Sequence, residues 1–131
     1  MTIYNQQVRA HNFVWALRHH RRAEPNQVAV VGGGIAGLTV AACMLSAFQS
    51  TKIALFERRW DLGPLQQGAD HRWVHPHLYG WPGEGSEQPS ARIPLLSWKA
   101  ASASVVLSQV LGGLRKCTAA FGRDRLEVYL G

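Results

Sequence analysis

One stretch constrains this chain more than any other: Val28-Ala-Val-Val31 runs straight into Gly32-Gly-Gly-Ile-Ala-Gly37. The valine-rich run is short and continuously apolar, the pattern of a strand buried on both faces. An apolar run from Ile35 to about Phe48 follows the glycines, and its length marks it as a helix. It is apolar nearly all round, through Leu38, Val40, Ala41, Ala42, Met44 and Leu45, so it should be covered from more than one side. Gln49-Ser50-Thr51 closes it, and Lys52-Ile-Ala-Leu-Phe56 reads as a second strand ending at Glu57. Strand, helix and strand within about thirty residues force the strands parallel, with a right-handed crossover. The expected fold class is α/β, a Rossmann-like three-layer fold with a short parallel sheet.

The glycines match G-x-G-x-x-G, with a strand before them, a helix opening inside them, and an acid ending the next strand. Each position has a physical task. Gly32 permits the tight turn from strand to helix. Gly34 lets a pyrophosphate approach the backbone, and Gly37 lets the helix lie close to the strands. The free N–H groups and the positive pole at the helix start suit phosphate oxygens. Glu57 would accept hydrogen bonds from ribose hydroxyls. Arg58 lies beside it, where a cation could favour a 2′-phosphate; Glu57 opposes that, since two anions would face each other. The bland alternative is a glycine-rich turn that binds nothing, and the surrounding pattern argues against it. The candidate cofactor-binding residues are thus Gly32, Gly33, Gly34, Ile35, Ala36, Gly37, Glu57 and Arg58; no catalytic residue and no metal ligand is nominated.

Val28-Ala-Val-Val-Gly-Gly-Gly-Ile-Ala-Gly-Leu38, with Ala54-Leu-Phe-Glu-Arg58, resembles the N-terminal dinucleotide-binding segment of FAD-dependent oxidoreductases. Amine oxidases and phytoene desaturases carry similar stretches. The resemblance covers about residues 28–59. It implies FAD as cofactor, with its pyrophosphate and adenosine ribose at Gly32, Gly34, Gly37 and Glu57; NAD and NADP are the alternatives. Leu62-Gly-Pro-Leu65 sits where many such proteins have a Gly-Gly turn near the flavin, although here there is one Gly. Such enzymes run to several hundred residues, against 131 here. The chain is therefore expected to be a truncated product, a fragment, or one subunit of a split flavoprotein. A partner chain or a second copy would then complete the fold. A non-catalytic nucleotide-binding or interaction module and an NAD(P)-binding dehydrogenase fragment are the competing readings.

The remainder is read more coarsely. Residues 1–27 form a polar, basic lead with Arg9, Arg18, Arg21 and Arg22 and no acid before Glu24; they read as a solvated extension of a domain spanning 28–131. Phe13, Val14, Trp15 and Leu17 could form one short helix face. The net charge is +6, yet no nucleic-acid-binding signature appears, so nucleic acid is not expected as a partner, nor is a membrane. No secretory signal or spanning run is visible, and Cys43 and Cys117 stand too far apart for a disulfide scaffold; a cytoplasmic setting is the simplest expectation. Cys43 should be buried and inert, Cys117 exposed. Residues 60–96 hold five of the six prolines together with Trp60, Trp73 and Trp81, and should form a long loop packed on something. His71, His75 and His77 lie there, beside Asp70; local hydrogen bonding is the ordinary reading, a metal or a proton-transfer role near a flavin the sharper one. Ser97 is expected to cap a helix whose apolar stripe runs from Ala100 to Leu114, which Gly112-Gly113 could end early. Arg125 to Leu130 alternates as a third strand. The substrate is not legible.

Overall fold

The computed structural model describes residues 2–20, 23–77 and 88–131. Along the chain come α1 (Ile3–His20), β1 (Gln27–Val31), α2 (Ile35–Ala47), β2 (Lys52–Glu57), β3 (Trp73–Val74), β4 (Ala101–Ser102), α3 (Ala103–Phe121), a 3-10 turn (Arg123–Arg125) and β5 (Leu126–Leu130). β1, β2 and β5 make one parallel sheet in that order, with Val30 beside Leu55 and Leu55 beside Val128. Parallel neighbours and a helical crossover confirm the α/β, Rossmann-like class. β3 and β4 form a small antiparallel pair at the start of α3.

Side chains alternate across the sheet. Val30, Ile53 and Leu55 are buried on the side where α2 packs. α2 in turn packs against α1 and α3, which explains why it is apolar on nearly every side. On the opposite side, Phe56 and Tyr129 stack with centroids 4.9 Å apart, both partly exposed, and Val31 beside Phe56 is 86% exposed. Among the described residues helices cover one face of this sheet; the second helical layer of a three-layer arrangement is not among them.

Four local expectations are corrected. The basic lead is not a solvated extension: α1 runs through it, burying Ile3, Gln7, Ala10 and Val14 against the rest of the fold. Polar Gln7 hid that seam. It is fully buried because its amide donates to Leu96 O (3.1 Å) and accepts from Trp98 Nε1 (2.7 Å). α3 starts at Ala103, with Ser102 rather than Ser97 at the N-cap position and no side-chain cap bond, because Ala101 and Ser102 are taken up pairing with β3. Gly112 and Gly113 do not end it. A Cβ on Gly113 would lie 3.1 Å from Leu96 Cδ2, so that glycine lets the 91–98 loop lie on the helix. The helix stops at Gly122, whose φ is +141°. Cys117 is buried, like Cys43. Burial pushes both thiols up, Cys43 to about 12 with a contribution from neighbouring Cys117.

The long loop packs, as expected, but unevenly. Ala91, Ile93 and Leu96 are core residues, as is Trp98 just beyond the loop, whereas Trp60 and Trp73 are exposed; Trp81 lies outside the described residues, as do Arg21 and Arg22. No described helix is long and apolar enough to cross a membrane.

Candidate functional site

The turn after β1 needs glycine for two different reasons, backbone conformation at Gly32 and close contact at Gly37. Gly32 has φ +106°, a conformation L-residues rarely adopt, and its N–H donates to Phe56 O (2.7 Å). A Cβ on Gly37 would lie 1.9 Å from Gly32 O, so α2 leaves the sheet at a distance only glycine permits. Gly34 is free of both constraints: its φ is −77°, and nothing lies within 4 Å of its would-be Cβ. It opens α2 in extended conformation with no side-chain cap. The first N–H groups of a helix have no intrahelical acceptor, so the uncapped start of α2 presents donors and a positive pole at an open backbone. Ile35 is buried as the first core anchor of α2, and Ala36 is exposed.

Glu57 ends β2 directly beside this turn. Its carboxylate accepts from Gly33 N–H (2.7 Å) and from Arg59 N–H (2.9 Å). The Arg59 and Gly33 amides, with the Arg58 and Arg59 guanidiniums nearby, hold this carboxyl below its ordinary range. It is therefore ionised at neutral pH and fixed in direction by two backbone donors. The strand ends enclose a hollow of about 470 Å³ lined by Gly32, Phe56, Glu57, Arg58, Tyr129 and Leu130, among others. Another hollow, of about 350 Å³, crosses the bare sheet face between Gln27 and Tyr129; its lining includes none of the turn's glycines.

The 60–68 segment contributes what the sequence reading left vague. Gly63 N–H donates to Gly33 O (2.8 Å), and a Cβ on Gly33 would lie 2.7 Å from Leu62 Cδ2. Gly63 has φ +61°, and its own would-be Cβ would strike Leu107 of α3 at 2.3 Å. Leu62-Gly63 thus forms a wall over the glycine turn, wedged there by α3. Tyr129 and Leu130 were also missed. The alternation at the C-terminal strand was visible, but its register against β2, which sets Tyr129 beside Phe56 and Leu130 beside Glu57, was not.

The loop histidines are not brought to this site. His77 sits edge-on to Tyr4 (centroids 5.2 Å), its ring Nε2 is hydrogen-bonded to Ser90 O, and its backbone N–H donates to His75 Nδ1. His71 is exposed. Among the described residues no three His, Cys, Asp or Glu side chains converge as a metal ion would require.

The family model described as FAD dependent oxidoreductase matches residues 27–119, from the first residue of β1 almost to the end of α3. No curated protein and no solved structure matches the chain.

Proposed function

The chain belongs to the FAD dependent oxidoreductase family, and on that premise we propose that it binds the ADP half of FAD at the Gly32–Gly37 turn and Glu57. The single observation that carries this reading is the open backbone at Gly34, beside an uncapped helix start and a fixed carboxylate. Phosphate oxygens would meet the N–H groups of Gly34, Ile35, Ala36 and Gly37, next to Gly32 and Gly33. Glu57 would accept from the ribose hydroxyls. The aromatic pair Phe56–Tyr129 and Leu130 would line the adenosine side of the hollow. FAD, when bound, supplies the electron-pair acceptor of the oxidation; the protein supplies binding, orientation and field.

Glu57 also favours FAD or NAD over NADP, because its ionised carboxylate faces the ribose position and would repel a 2′-phosphate. Arg58 adds a cation but leaves that carboxylate in place. The sheet face that none of the described helices covers supports completion of the domain by a further protein layer, so substrate oxidation is assigned to the completed assembly.

The test is fluorescence titration of the full chain with FAD, NAD and NADP, with mass spectrometry of any nucleotide that copurifies. FAD should bind most tightly. Gly34→Ala should weaken binding while the melting temperature stays unchanged. Equal binding of FAD by Gly34→Ala would remove the turn from the site; preference for NADP would overturn the role given to Glu57.

A further inference from the structure

Cys43 is buried on α2, but its thiol has a partner there. Its Sγ lies 3.3 Å from His11 Nδ1 on α1. His11 Nε2 in turn meets Leu95 O at 3.4 Å. A carbonyl oxygen can only accept, so Nε2 carries the ring hydrogen and Nδ1 is left to accept from the thiol. Thiol, imidazole and carbonyl thus form one chain, with the base oriented by a third group, the arrangement that activates a nucleophile. The pair is not sealed in. His11 and Cys43, with Trp15, Arg18, Ala47 and Leu95 among others, line an open cleft of about 170 Å³ between α1 and α2. Cys117 is the contrast: it is also buried, and burial also pushes its thiol up, but it has no hydrogen-bonded base among the described residues. Burial alone would leave Cys43 as inert as the sequence implies. The base was hidden because His11 stands 32 residues before the thiol it meets.

We propose that Cys43 is an oxidation site for a small, uncharged hydroperoxide, with His11 as its base. The cleft limits the size of the reagent, and the protonation state selects its class. Burial keeps the Cys43 thiol protonated at neutral pH. The reagent best suited to a protonated thiol beside a base is one whose leaving group needs that proton. A hydroperoxide expels hydroxide or an alkoxide, which are strong bases. The Cys43 sulfur attacks the terminal peroxide oxygen, and the S–O bond forms as the O–O bond breaks. The thiol proton passes to His11 Nδ1 and on to the departing oxygen, which leaves as water or an alcohol. Sulfur is oxidised by two electrons to the sulfenic acid, and the peroxide is reduced by two.

The experiment exposes the full chain to hydrogen peroxide with dimedone present, which traps sulfenic acid, and reads each cysteine by mass spectrometry of the digest. Cys43 should be labelled at least about tenfold faster than Cys117, and His11→Asn should slow Cys43 by about a hundredfold. The rate at Cys117 should not change. His11→Gln stands in if His11→Asn fails to fold. Equal labelling of the two cysteines, no labelling of the folded chain, or labelling of Cys43 unchanged or faster in a folded His11 variant would overturn the proposal. So would rates at both cysteines that climb together in low urea, the mark of oxidation through opening of the whole fold.

Discussion

The two ends of the parallel sheet are treated in opposite ways. At the end where β1, β2 and β5 start, charged side chains tie down loose backbone. Glu24 accepts from the N–H and the hydroxyl of both Ser50 and Thr51, pinning the α2–β2 turn to the entry of β1. Arg125 donates to four carbonyls, Thr51 O, Leu45 O, Phe48 O and Phe121 O, gathering the ends of α2 and α3 against the start of β2. A cation at two helix C-termini also meets their negative poles. At the end where the strands finish, α2 starts uncapped and Gly34 faces open space. The contrast teaches a division of labour. Backbone groups are satisfied internally at one end and left without a side-chain cap at the other, the end where the proposed nucleotide would meet them.

The sharpest way to break the comparison is Gly37→Ala. The added methyl meets Gly32 O, which is backbone and cannot step aside. Destabilisation of at least about 3 kcal/mol is expected, with loss of nucleotide binding, in chemical denaturation and FAD titration. Next comes Arg125→Ala, which leaves four carbonyls to find water. Charged hydrogen bonds are worth about 1.5–3 kcal/mol each in favourable cases, and this half-buried group should contribute about 3 kcal/mol in all. The variant that remains folded should bind FAD with wild-type affinity, because the lesion lies at the other end of the strands. Equal damage to binding would show that the ends are coupled.

Gly34→Ala probes the open end in reverse. Its φ of −77° suits alanine and its Cβ meets nothing, so stability should not fall. FAD affinity should fall about tenfold, equivalent to about 1.4 kcal/mol. A variant equally stable and equally competent would mean that phosphates do not approach there.

The open end was the more legible of the two in the sequence. Glycines at a strand-to-helix turn and an acid ending the next strand are local signals, and the structure puts Gly33 and Glu57 within one hydrogen bond of each other. The satisfied end was opaque because its partners are distant in sequence: Glu24 reaches Ser50, and Arg125 reaches Leu45. α1 was misread for a related reason. Gln7 looks like a polar interruption until Trp98, ninety-one residues later, supplies the partner that allows its burial. The start of α3 was misplaced because β3, which pairs with Ala101 and Ser102, is only two residues long and leaves no period to detect.

The smallest expected effect belongs to Glu24, and its value is that pH can switch it. Four donors on one carboxylate, the Ser50 N–H foremost, lower this group from the ordinary 4.5 to about 2. A carboxyl lowered on folding stabilises the native state above its unfolded value, and the contribution disappears as pH falls through the folded one. The melting temperature of Glu24→Gln should therefore lie below wild type at neutral pH. The gap should narrow between about 4.5 and 2 and close below that window. Glu57 is lowered as well and titrates in the acid range, but its donors are the Gly33 and Arg59 amides at the open end. Comparing the pH profile of Glu57→Gln with that of Glu24→Gln, with and without FAD, separates the two ends. Added nucleotide should widen the gap between wild type and Glu57→Gln, and should leave that for Glu24→Gln where it was.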